Sequence, residues 1–335
     1  MTARYALKLI VQIPAYNEEA TIAQVIRDVP RALSGFAAIE VLVIDDGSLD
    51  RTVAEAQAAG ADHILSLGYN RGLAFAFQAG LDAGLRQGAD VIVNTDGDHQ
   101  YPGEFIAALV KPILDQQADL VIGDRQVDQV KHFSPQKRLL ERLGSLIVRR
   151  ASGTSVPDAP SGFRAYSREA ALRLFVTSDF SYTLDNLIQA GQRGLRVAHV
   201  PITTNPTRPS KLHRGSWHFV KRQGATIVRA YATYEPLKTF FYLSLPFLLV
   251  AAMLFARLFI IFVRNDFALP GNVQSLIVAV MALIVGFLVM IFGLLADRIG
   301  DSRRLLEEIL YRQRRAEAAP WQGDHAPADG RSDAV

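Results

Sequence analysis

Two aspartates and a glutamine stand close together in the chain, at Asp96, Asp98 and Gln100. Two carboxylates separated by one residue, with an amide two positions further on, can present hard oxygen ligands to a divalent cation that bridges a diphosphate. The three residues are therefore candidate ligands of Mg²⁺ or Mn²⁺. A solvated turn is the alternative interpretation, because Asp-x-Asp is also common in turns.

His99 lies inside the same segment, and imidazole can also ligate a cation. We expect that His99 does not bind the metal, because Mg²⁺ and Mn²⁺ prefer oxygen ligands. Alternation along an extended segment would also point His99 away from the side that Asp98 and Gln100 share.

The elements that must position these residues follow from the pattern of apolar runs. Short apolar runs alternate with helical patterns that begin near Glu18, Thr52, Leu73 and Glu104. The runs cover residues 9–13, 41–44, 63–65, 91–93 and 120–122. This order predicts an α/β domain with a mostly parallel sheet, helices on both faces and ligands at the carboxyl ends of the strands.

The composition excludes several classes of protein. Of the 335 residues, 50% are hydrophobic and 21% charged, which provides a sizeable core and excludes wholesale disorder. The chain has no cysteine, so disulfide scaffolds, thiolate zinc sites and cysteine nucleophiles are excluded. Residues 1–130 hold 9 Lys and Arg against 18 Asp and Glu, although the net charge of the whole chain is +3. The acidic first part suits a metal that accompanies an anion, and the basic remainder suits phosphate, nucleic acid or an anionic membrane.

Two stretches are long and apolar enough to cross a membrane as helices. Residues 239–263 contain one charged side chain, Arg257, and residues 273–296 contain none. Either helix would be longer than a hydrocarbon core of about 30 Å; two buried core helices are the alternative. Lys and Arg flank the pair on both outer sides, and the first residues lack the apolar region of a signal peptide. We therefore expect a cell inner-membrane protein with both termini and the preceding domain in the cytoplasm.

These patterns divide the chain into successive parts. We expect a catalytic domain over residues 1–232, a membrane hairpin over 233–297, a cytoplasmic amphipathic helix over 298–315 and a disordered tail over 316–335. The helix over 298–315 is suited to returning along the membrane or to packing on a second subunit of a homo-oligomer. Within the domain, a basic amphipathic segment at about 131–152 is suited to the membrane interface. An ordinary helix packed on the sheet is the alternative there.

Five motifs at strand ends and in the loops that follow resemble those of the inverting family 2 glycosyltransferases of the GT-A fold. They are Pro-Ala-Tyr-Asn-Glu (14–18), Asp-Asp-Gly-Ser (45–48), Asp-Gly-Asp (96–98), Gly-Asp-Arg (123–125) and Ser-Gly-Phe-Arg (161–164). The resemblance covers about residues 8–215. Together with the two C-terminal spans, it is similar to the polyprenyl-phosphate glycosyltransferases, which include dolichol-phosphate mannose synthase and bacterial undecaprenyl-phosphate glucosyltransferases.

The resemblance implies which residues bind the nucleotide sugar. The nucleoside pocket would be lined by Pro14, Ala15, Tyr16 and Glu18, and the base or ribose would lie near Asp45 and Asp46. A later segment, Arg-Pro-Ser-Lys-Leu at 208–212, is similar to an element that closes over the donor, although the family usually has Gly where this chain has Pro209. Arg208 and Lys211 would then contact the donor; a solvated basic loop is the alternative.

The resemblance also implies roles in the chemistry. Asp96 would face the ribose and the metal, and Asp98 and Gln100 would hold the cation, Mg²⁺ or Mn²⁺. Arg125 and Arg164 would lie by the transferring phosphates. Asp185 is near the place where other members keep a catalytic acid, with a carboxylate on the helix surface as the alternative.

The leading hypothesis is an enzyme that moves a sugar from a nucleotide-diphosphate sugar to a polyprenyl phosphate, such as undecaprenyl phosphate, with inversion. A processive polysaccharide synthase has the same catalytic fold, but two spans are too few for a polymer channel and the Gln-x-x-Arg-Trp acceptor motif is absent from the sequence. A non-catalytic membrane scaffold on the same fold is the third hypothesis. Nucleic-acid binding is disfavoured, because the basic segments flank membrane elements and form no nucleic-acid-binding module.

Overall fold

A computed structural model describes residues 7–126, 149, 152–176, 182–206, 236–264 and 272–318. The chain divides into two compact units. The first unit consists of Met1–His132, Thr154–Arg208 and Tyr311–Val335, and the second consists of Phe133–Gly153 and Pro209–Leu310. Nearly all of the basic segment at about 131–152, and both Arg208 and Lys211, lie outside the described residues.

The first unit is built on one sheet. In the described part of the chain its strands are β1 (Leu7–Ala15), β2 (Phe36–Asp45), β3 (His63–Ser66), β4 (Val91–Asn94), β5 (Leu120–Asp124), β6 (Arg164–Ser167) and β7 (Val197–Pro201). Their order across the sheet is β3-β2-β1-β4-β6-β5-β7. Neighbouring strands are parallel except at β6, which lies antiparallel between β4 and β5. The five predicted runs are β1 to β5, so the mostly parallel sheet is confirmed.

Helices cover both faces of this sheet. In the first unit they are α1 (Ile22–Asp28), α2 (Thr52–Ala58), α3 (Leu73–Arg86), α4 (Ile106–Leu114), α5 (Arg168–Arg173) and α6 (Tyr182–Gln192), with a 3₁₀ turn at Gly103–Phe105. The alternation of β1 sends Leu9, Val11 and Ile13 into a core with α1 and α4. On the opposite face α3 lies close to the sheet. This close approach depends on Gly84, because a Cβ at that position would lie 3.0 Å from the Ile92 side chain.

The second unit contains two long apolar helices, α7 (Pro236–Arg264) and the greater part of α8 (Val273–Glu317). Both are long and apolar enough to cross a membrane. Large apolar side chains such as Phe241, Met253 and Phe292 are exposed, which is not the arrangement of helices in a soluble core. The prediction of two buried core helices is therefore the weaker of the two interpretations.

The two helices pack against each other along small residues that recur every seven positions. Ser244 and Ala251 are buried on α7, and Ala279 is buried on α8. At Gly286 and Gly293 of α8, an added Cβ would lie only 2.6 Å from Leu248 and 2.7 Å from Phe240. A repeat of seven keeps one seam of each helix facing the other, and small residues let the backbones approach closely.

The separate helix predicted for residues 298–315 is wrong as a separate element, because α8 continues without a break from Val273 to Glu317. A helical Gly such as Gly300 costs only about 1 kcal/mol relative to Ala, and residues 303–308, Arg-Arg-Leu-Leu-Glu-Glu, are good helix formers. The predicted disordered tail also begins too early, since the helix includes Ala316 and Ala318 is buried. Residues 319–335 lie outside the described residues.

Candidate active site

The predicted site residues meet at the carboxyl edge of the sheet. Ala15 at the end of β1 pairs with Asp45 at the end of β2, and Gln12 of β1 pairs with Asn94 at the end of β4. The segments that follow these three strands therefore begin side by side. They carry the residues expected to bind the nucleoside and the metal.

The loop at residues 95–100, here called the metal loop, is a turn and not an extended segment. Its backbone reverses at His99, whose φ is +60°. The extended conformation expected around His99 is therefore wrong. The His99 ring nevertheless contacts another partner, Asp28. The Asp98 carboxylate accepts a hydrogen bond of 3.0 Å from the Gln100 backbone N–H, which closes the turn.

Asp96 is the carboxylate whose acidity the site changes most. Burial, together with the nearby carboxylates of Asp98 and Glu18, raises the pKa of Asp96 to about 7 against the opposing charges of Arg125 and Arg164. Gly162 leaves room for this carboxylate, because a Cβ there would be 3.0 Å from both Asp96 oxygens. Asp96 thus lies among groups of both charges, two carboxylates and two arginines.

The segments after β1 and β2 are fastened to each other. Asn17 N–H donates to Ser48 Oγ at 3.0 Å, and Glu18 N–H donates to Thr52 Oγ1 at 2.8 Å. The Asn17 side chain accepts from Leu49 N–H at 2.9 Å, and Asn17 has a φ of +54°, a conformation that Asn tolerates better than most residues. These hydrogen bonds fix the segment that carries Tyr16 and Glu18, the side chains expected to line the nucleoside pocket.

Asp45 and Asp46 are buried and bind the protein's own loops. Asp45 accepts from Ser48 N–H and Ser66 Oγ, both at 2.9 Å. Asp46 accepts from the backbone N–H groups of Arg71 and Gly72 at 2.7 and 2.9 Å. In this structure the two carboxylates therefore position the loops around the predicted nucleoside pocket. Direct contact of either with a base or ribose stays a prediction.

The two predicted phosphate-binding arginines have different surroundings. Arg125 forms a two-point ion pair with buried Asp158, with Nε–Oδ2 at 2.7 Å and Nη2–Oδ1 at 2.8 Å. Arg164 is completely buried, and its guanidinium donates to the backbone carbonyls of Ser161, Thr183 and Ala159 at 2.8, 2.8 and 2.6 Å. The placement of Arg164 beside a phosphate is corrected, because its donors hold the polypeptide together.

Asp185 lies in the first turn of α6 and is buried, so the alternative of a carboxylate on the helix surface is wrong. The same turn brings Tyr182 under the site, where its hydroxyl accepts from the Asn94 amide at 3.2 Å. The Tyr182 ring stacks on Phe77 of α3 at 4.1 Å between centroids. Burial raises the pKa of the Tyr182 phenol well above its usual value, so the group stays neutral and available for hydrogen bonding.

Comparison with known proteins matches this arrangement to one family. The model of glycosyl transferase family 2 matches residues 10–175. Polyprenol monophosphomannose synthase of Mycolicibacterium smegmatis is 32% identical over 213 residues, which cover 60% of this chain and 79% of that protein. Glycosyltransferase AglJ of Haloferax volcanii is 30% identical over 302 residues, which cover 87% of this chain and 93% of that protein. The chain belongs to glycosyl transferase family 2.

Within family 2, the chain belongs to the polyprenyl-phosphate glycosyltransferase branch. Undecaprenyl-phosphate mannosyltransferase of Micrococcus luteus is 30% identical over 211 residues, covering 59% of this chain and 83% of that protein. The fold resembles that of a solved structure, glucosyl-3-phosphoglycerate synthase from Mycobacterium tuberculosis in complex with Mn²⁺, UDP-glucose and phosphoglyceric acid. That chain aligns with a TM-score of 0.54 and 25% identity over 68% of this chain and 79% of its own length.

The donor set of this family 2 site fits a divalent metal. Within the described ranges, no group of three or more His, Asp or Glu side chains could hold a metal ion, so Asp96 and Asp98 would need further ligands. The carboxylates of Asp96 and Asp98 with the amide of Gln100 supply only oxygen donors, as Mg²⁺ and Mn²⁺ prefer, and diphosphate and water commonly complete such a shell. The raised pKa of Asp96 comes mainly from its burial and secondly from the charge of Asp98.

Sequence reasoning missed the polar network under the site. Gln12, in the middle of β1, donates to the Asn94 side chain at 2.8 Å, and Asn94 in turn donates to the Gly162 carbonyl at 2.9 Å. Tyr101 stacks on Phe163 at 5.1 Å and accepts from Gly162 N–H at 3.3 Å. The available signal was an amide side chain inside each of two apolar strands, since a buried amide requires a partner.

Proposed function

We propose that the protein transfers a sugar from a nucleoside-diphosphate sugar to a polyprenyl phosphate, with inversion at the anomeric carbon and with Mg²⁺ or Mn²⁺ bound. The observation that carries the proposal is that one chain joins a family 2 site to two membrane-length helices with exposed apolar side chains. The relatives named for mannosyl transfer to polyprenol or undecaprenyl phosphates support the acceptor class.

The donor is held by the three segments at the sheet edge. In the proposal, Pro14, Ala15, Tyr16 and Glu18 line the nucleoside pocket, and Asp45 and Asp46 shape it by fixing the loops. Asp96, Asp98 and Gln100 hold the metal. When bound, the cation neutralises charge on the diphosphate leaving group, which is the chemistry of a Lewis acid.

The acceptor needs positioning more than deprotonation. The second pKa of a phosphate monoester is about 6, so its attacking oxygen is largely anionic at neutral pH. In-line attack on the anomeric carbon then forms the new C–O bond as the bond to the diphosphate breaks, and a single displacement inverts the configuration. We assign acceptor or donor phosphate contacts to Arg208 and Lys211, and to any donor that Arg125 retains beyond its pair with Asp158. Asp185 is the candidate base, although such an acceptor does not require one.

Arg164 enters the proposal as a positioning residue. Its three carbonyl partners lie in the segment before β6 and in the first turn of α6. That contact set orients Gly162 and Tyr182, which border Asp96. The role proposed for Arg164 is therefore to keep the wall of the site in place.

The place of the reaction follows from charge. Lys221, Arg222, Arg229 and Lys238 precede the first apolar stretch, residues 239–263, and the connection between the two helices is short. By the positive-inside rule we propose a cytoplasmic catalytic domain and cytoplasmic termini in the cell membrane. Both substrates are then on one side, because nucleotide sugars are soluble anions and the lipid phosphate lies in the headgroup layer.

The test is a transfer assay with purified full-length protein. Radiolabelled UDP- and GDP-sugars are each incubated with undecaprenyl phosphate and Mn²⁺ or Mg²⁺, and label in the organic phase is counted. We expect one donor to label the lipid and Asp98→Asn to abolish the signal. Asp115→Asn is the matched control, because Asp115 is exposed on the far end of α4 and pairs only locally with Lys111.

Two results would count against the proposal. One is label that stays in the aqueous phase for every donor while Mn²⁺ and nucleotide still bind. The other is lipid labelling that survives Asp98→Asn unchanged.

A further inference from the structure

The backbone of the metal loop is held by three hydrogen bonds from outside it. Thr21 Oγ1 donates to the Gly97 carbonyl at 2.7 Å. The Asn205 side chain donates to the His99 carbonyl at 3.1 Å, and Asn205 N–H donates to the Gln100 carbonyl at 2.9 Å. The loop is thus fixed from the start of α1 on one side and from the segment after β7 on the other.

His99 adds an anchor through its side chain. Its Nε2 lies 2.6 Å from Asp28 Oδ2, and its Nδ1 lies 3.4 Å from the Asn205 amide nitrogen. An amide N–H can only donate, so Nδ1 is the acceptor and Nε2 carries the proton that goes to Asp28. Both ring nitrogens are therefore used, and the ring spans from the end of α1 to the segment after β7.

The anchor point at Asp28 is itself rigid. Asp28 is the last residue of α1, where the backbone approaches the 3₁₀ turn so closely that a Cβ on Gly103 would be 2.0 Å from the Asp28 carbonyl. The carboxylate is partly exposed, and exposed ion pairs contribute little to stability. Its value therefore lies in fixing a position, not in holding the fold together.

We propose that His99, Asp28 and Asn205 form a positioning triad that holds the metal loop in its metal-binding shape. His99 lies between the two proposed ligands Asp98 and Gln100, and its left-handed φ of +60° sets the backbone reversal between them. The ring, fastened at both nitrogens, prevents this strained residue from relaxing to an extended conformation. The inference deepens the proposed function, because it concerns how that same metal site is kept in shape.

The experiment measures Mn²⁺ binding directly, from the loss of the free Mn²⁺ EPR signal, in full-length protein with UDP or GDP present. We expect His99→Asn and Asp28→Ala each to weaken Mn²⁺ binding about 10- to 100-fold, the range found when groups that orient metal ligands are removed. Asn tolerates a positive φ, so His99→Asn removes the ring without changing the backbone preference. Asp28→Asn keeps an acceptor oxygen for the Nε2 proton and should retain most of the affinity.

The matched control is His63→Asn. His63 Nε2 lies 2.8 Å from Glu40 Oε2, another partly exposed His–carboxylate pair that is away from the metal loop. This variant should bind Mn²⁺ like the wild type. In the double variant of His99→Asn with Asp28→Ala, the second change should add little, because both remove the same contact. At saturating Mn²⁺, the kcat of the His99→Asn and Asp28→Ala variants for lipid labelling should stay within about threefold of the wild-type value.

Several outcomes would overturn the triad. Wild-type Mn²⁺ affinity in both single variants, fully additive losses in the double variant, or a kcat at saturating metal that falls as far as the affinity would each contradict positioning. A wild type that binds no Mn²⁺ with either nucleotide would also contradict it. A wild type that binds Mn²⁺ with nucleotide but labels no lipid would refute the proposed acceptor while leaving the triad fully tested by the binding data.

Discussion

Arg164 and Arg196 show how differently two arginines act in one domain. Arg164 is completely buried and satisfies three carbonyls that have no access to water. Arg196 is mostly exposed and pairs with Asp119 on the surface. A planar guanidinium can reach three carbonyls at once, whereas a lysine ammonium on a flexible stem cannot.

We expect Arg164→Lys to lower the free energy of unfolding by about 2–4 kcal/mol, because one or two buried carbonyls lose their donor. Arg196→Lys should leave it nearly unchanged, as for other exposed pairs. Thermal unfolding of the two purified variants, followed by intrinsic fluorescence, compares them directly. Equal shifts in the two variants would refute the structural role of Arg164.

The raised pKa of Asp96 predicts how stability depends on pH. The folded protein binds the Asp96 proton more tightly than the unfolded chain, since the pKa is about 7 in the fold and 3.8 ordinarily. The contribution of Asp96 protonation to the stability of the metal-free protein should therefore be lost progressively as pH rises from about 4 to about 7. Above that pH the stability should level off. In Asp96→Asn this contribution is absent.

The measurement is the thermal midpoint of wild type and Asp96→Asn in chelator, at several pH values between 5 and 9. The variant should gain on the wild type as pH rises through 7, by a few degrees. A gap that is the same at every pH would contradict the raised pKa.

At the residue scale the sequence predicts ligand types but not their supports. Asp96, Asp98 and Gln100 could be proposed from spacing alone, because metal chemistry restricts the donor atoms. The partners of His99 could not, since Asp28 and Asn205 are 71 and 106 positions away in the chain. The three carbonyl partners of Arg164 left no side-chain signal at all.

At the scale of elements, the strands with long apolar runs were predictable and the short mixed ones were not. β1, β2 and β4 pair in parallel and are mostly buried on both faces, so their sequences are apolar runs rich in Val, Ile and Leu. β6 has only four residues, Arg164–Ser167, and its first side chain is a buried arginine. β7 is partly exposed along most of its length. Neither pattern differs from that of a loop.

The seam between α7 and α8 gives a prediction at this scale. A Cβ at Gly293 would meet Phe240 Cβ at 2.7 Å, close to the backbone where nothing can rotate away, whereas Gly300 has open space around it. We expect Gly293→Ala to destabilise the helix pair by about 1–3 kcal/mol, as in overpacked interfaces. Gly300→Ala should be neutral or stabilise by up to about 1 kcal/mol, through helix propensity.

The two glycine variants differ only in position along one helix, so a comparison of their thermal midpoints in the same detergent isolates packing. A Gly293→Ala protein as stable as Gly300→Ala would show that the seam is loose.

At the scale of the whole molecule, one helix belongs to both units. α8 begins in the second unit, and its last turns, from Tyr311, belong to the first. Arg314 there is buried: Nε donates to Asp82 of α3 at 2.8 Å, and Nη1 donates to the Leu172 and Leu174 carbonyls at 2.8 and 2.9 Å. Tyr311 donates to Glu169 of α5 at 3.1 Å. The expected packing on a second subunit is therefore not the one that these residues make.

The sequence carried the amphipathic pattern of this segment but not its partner, because Asp82 and Leu172 are 232 and 142 positions away. The consequence is that the catalytic unit depends on residues that follow the membrane-length apolar stretches.

Removing Arg314 leaves Asp82 without its cation and two carbonyls without a donor, at a cost of about 2–4 kcal/mol. Arg314→Ala should therefore lower the thermal midpoint of the catalytic unit, although the substitution follows both apolar stretches, residues 239–263 and 273–296. Arg315→Ala, at the exposed neighbouring position, should leave it within about 1 °C. Nucleotide added to both variants reports on the unit that holds the site, because ligand binding raises the midpoint only of the part that binds it. If Arg314→Ala shifted no transition that responds to nucleotide, the last turns of α8 would not be part of the catalytic unit.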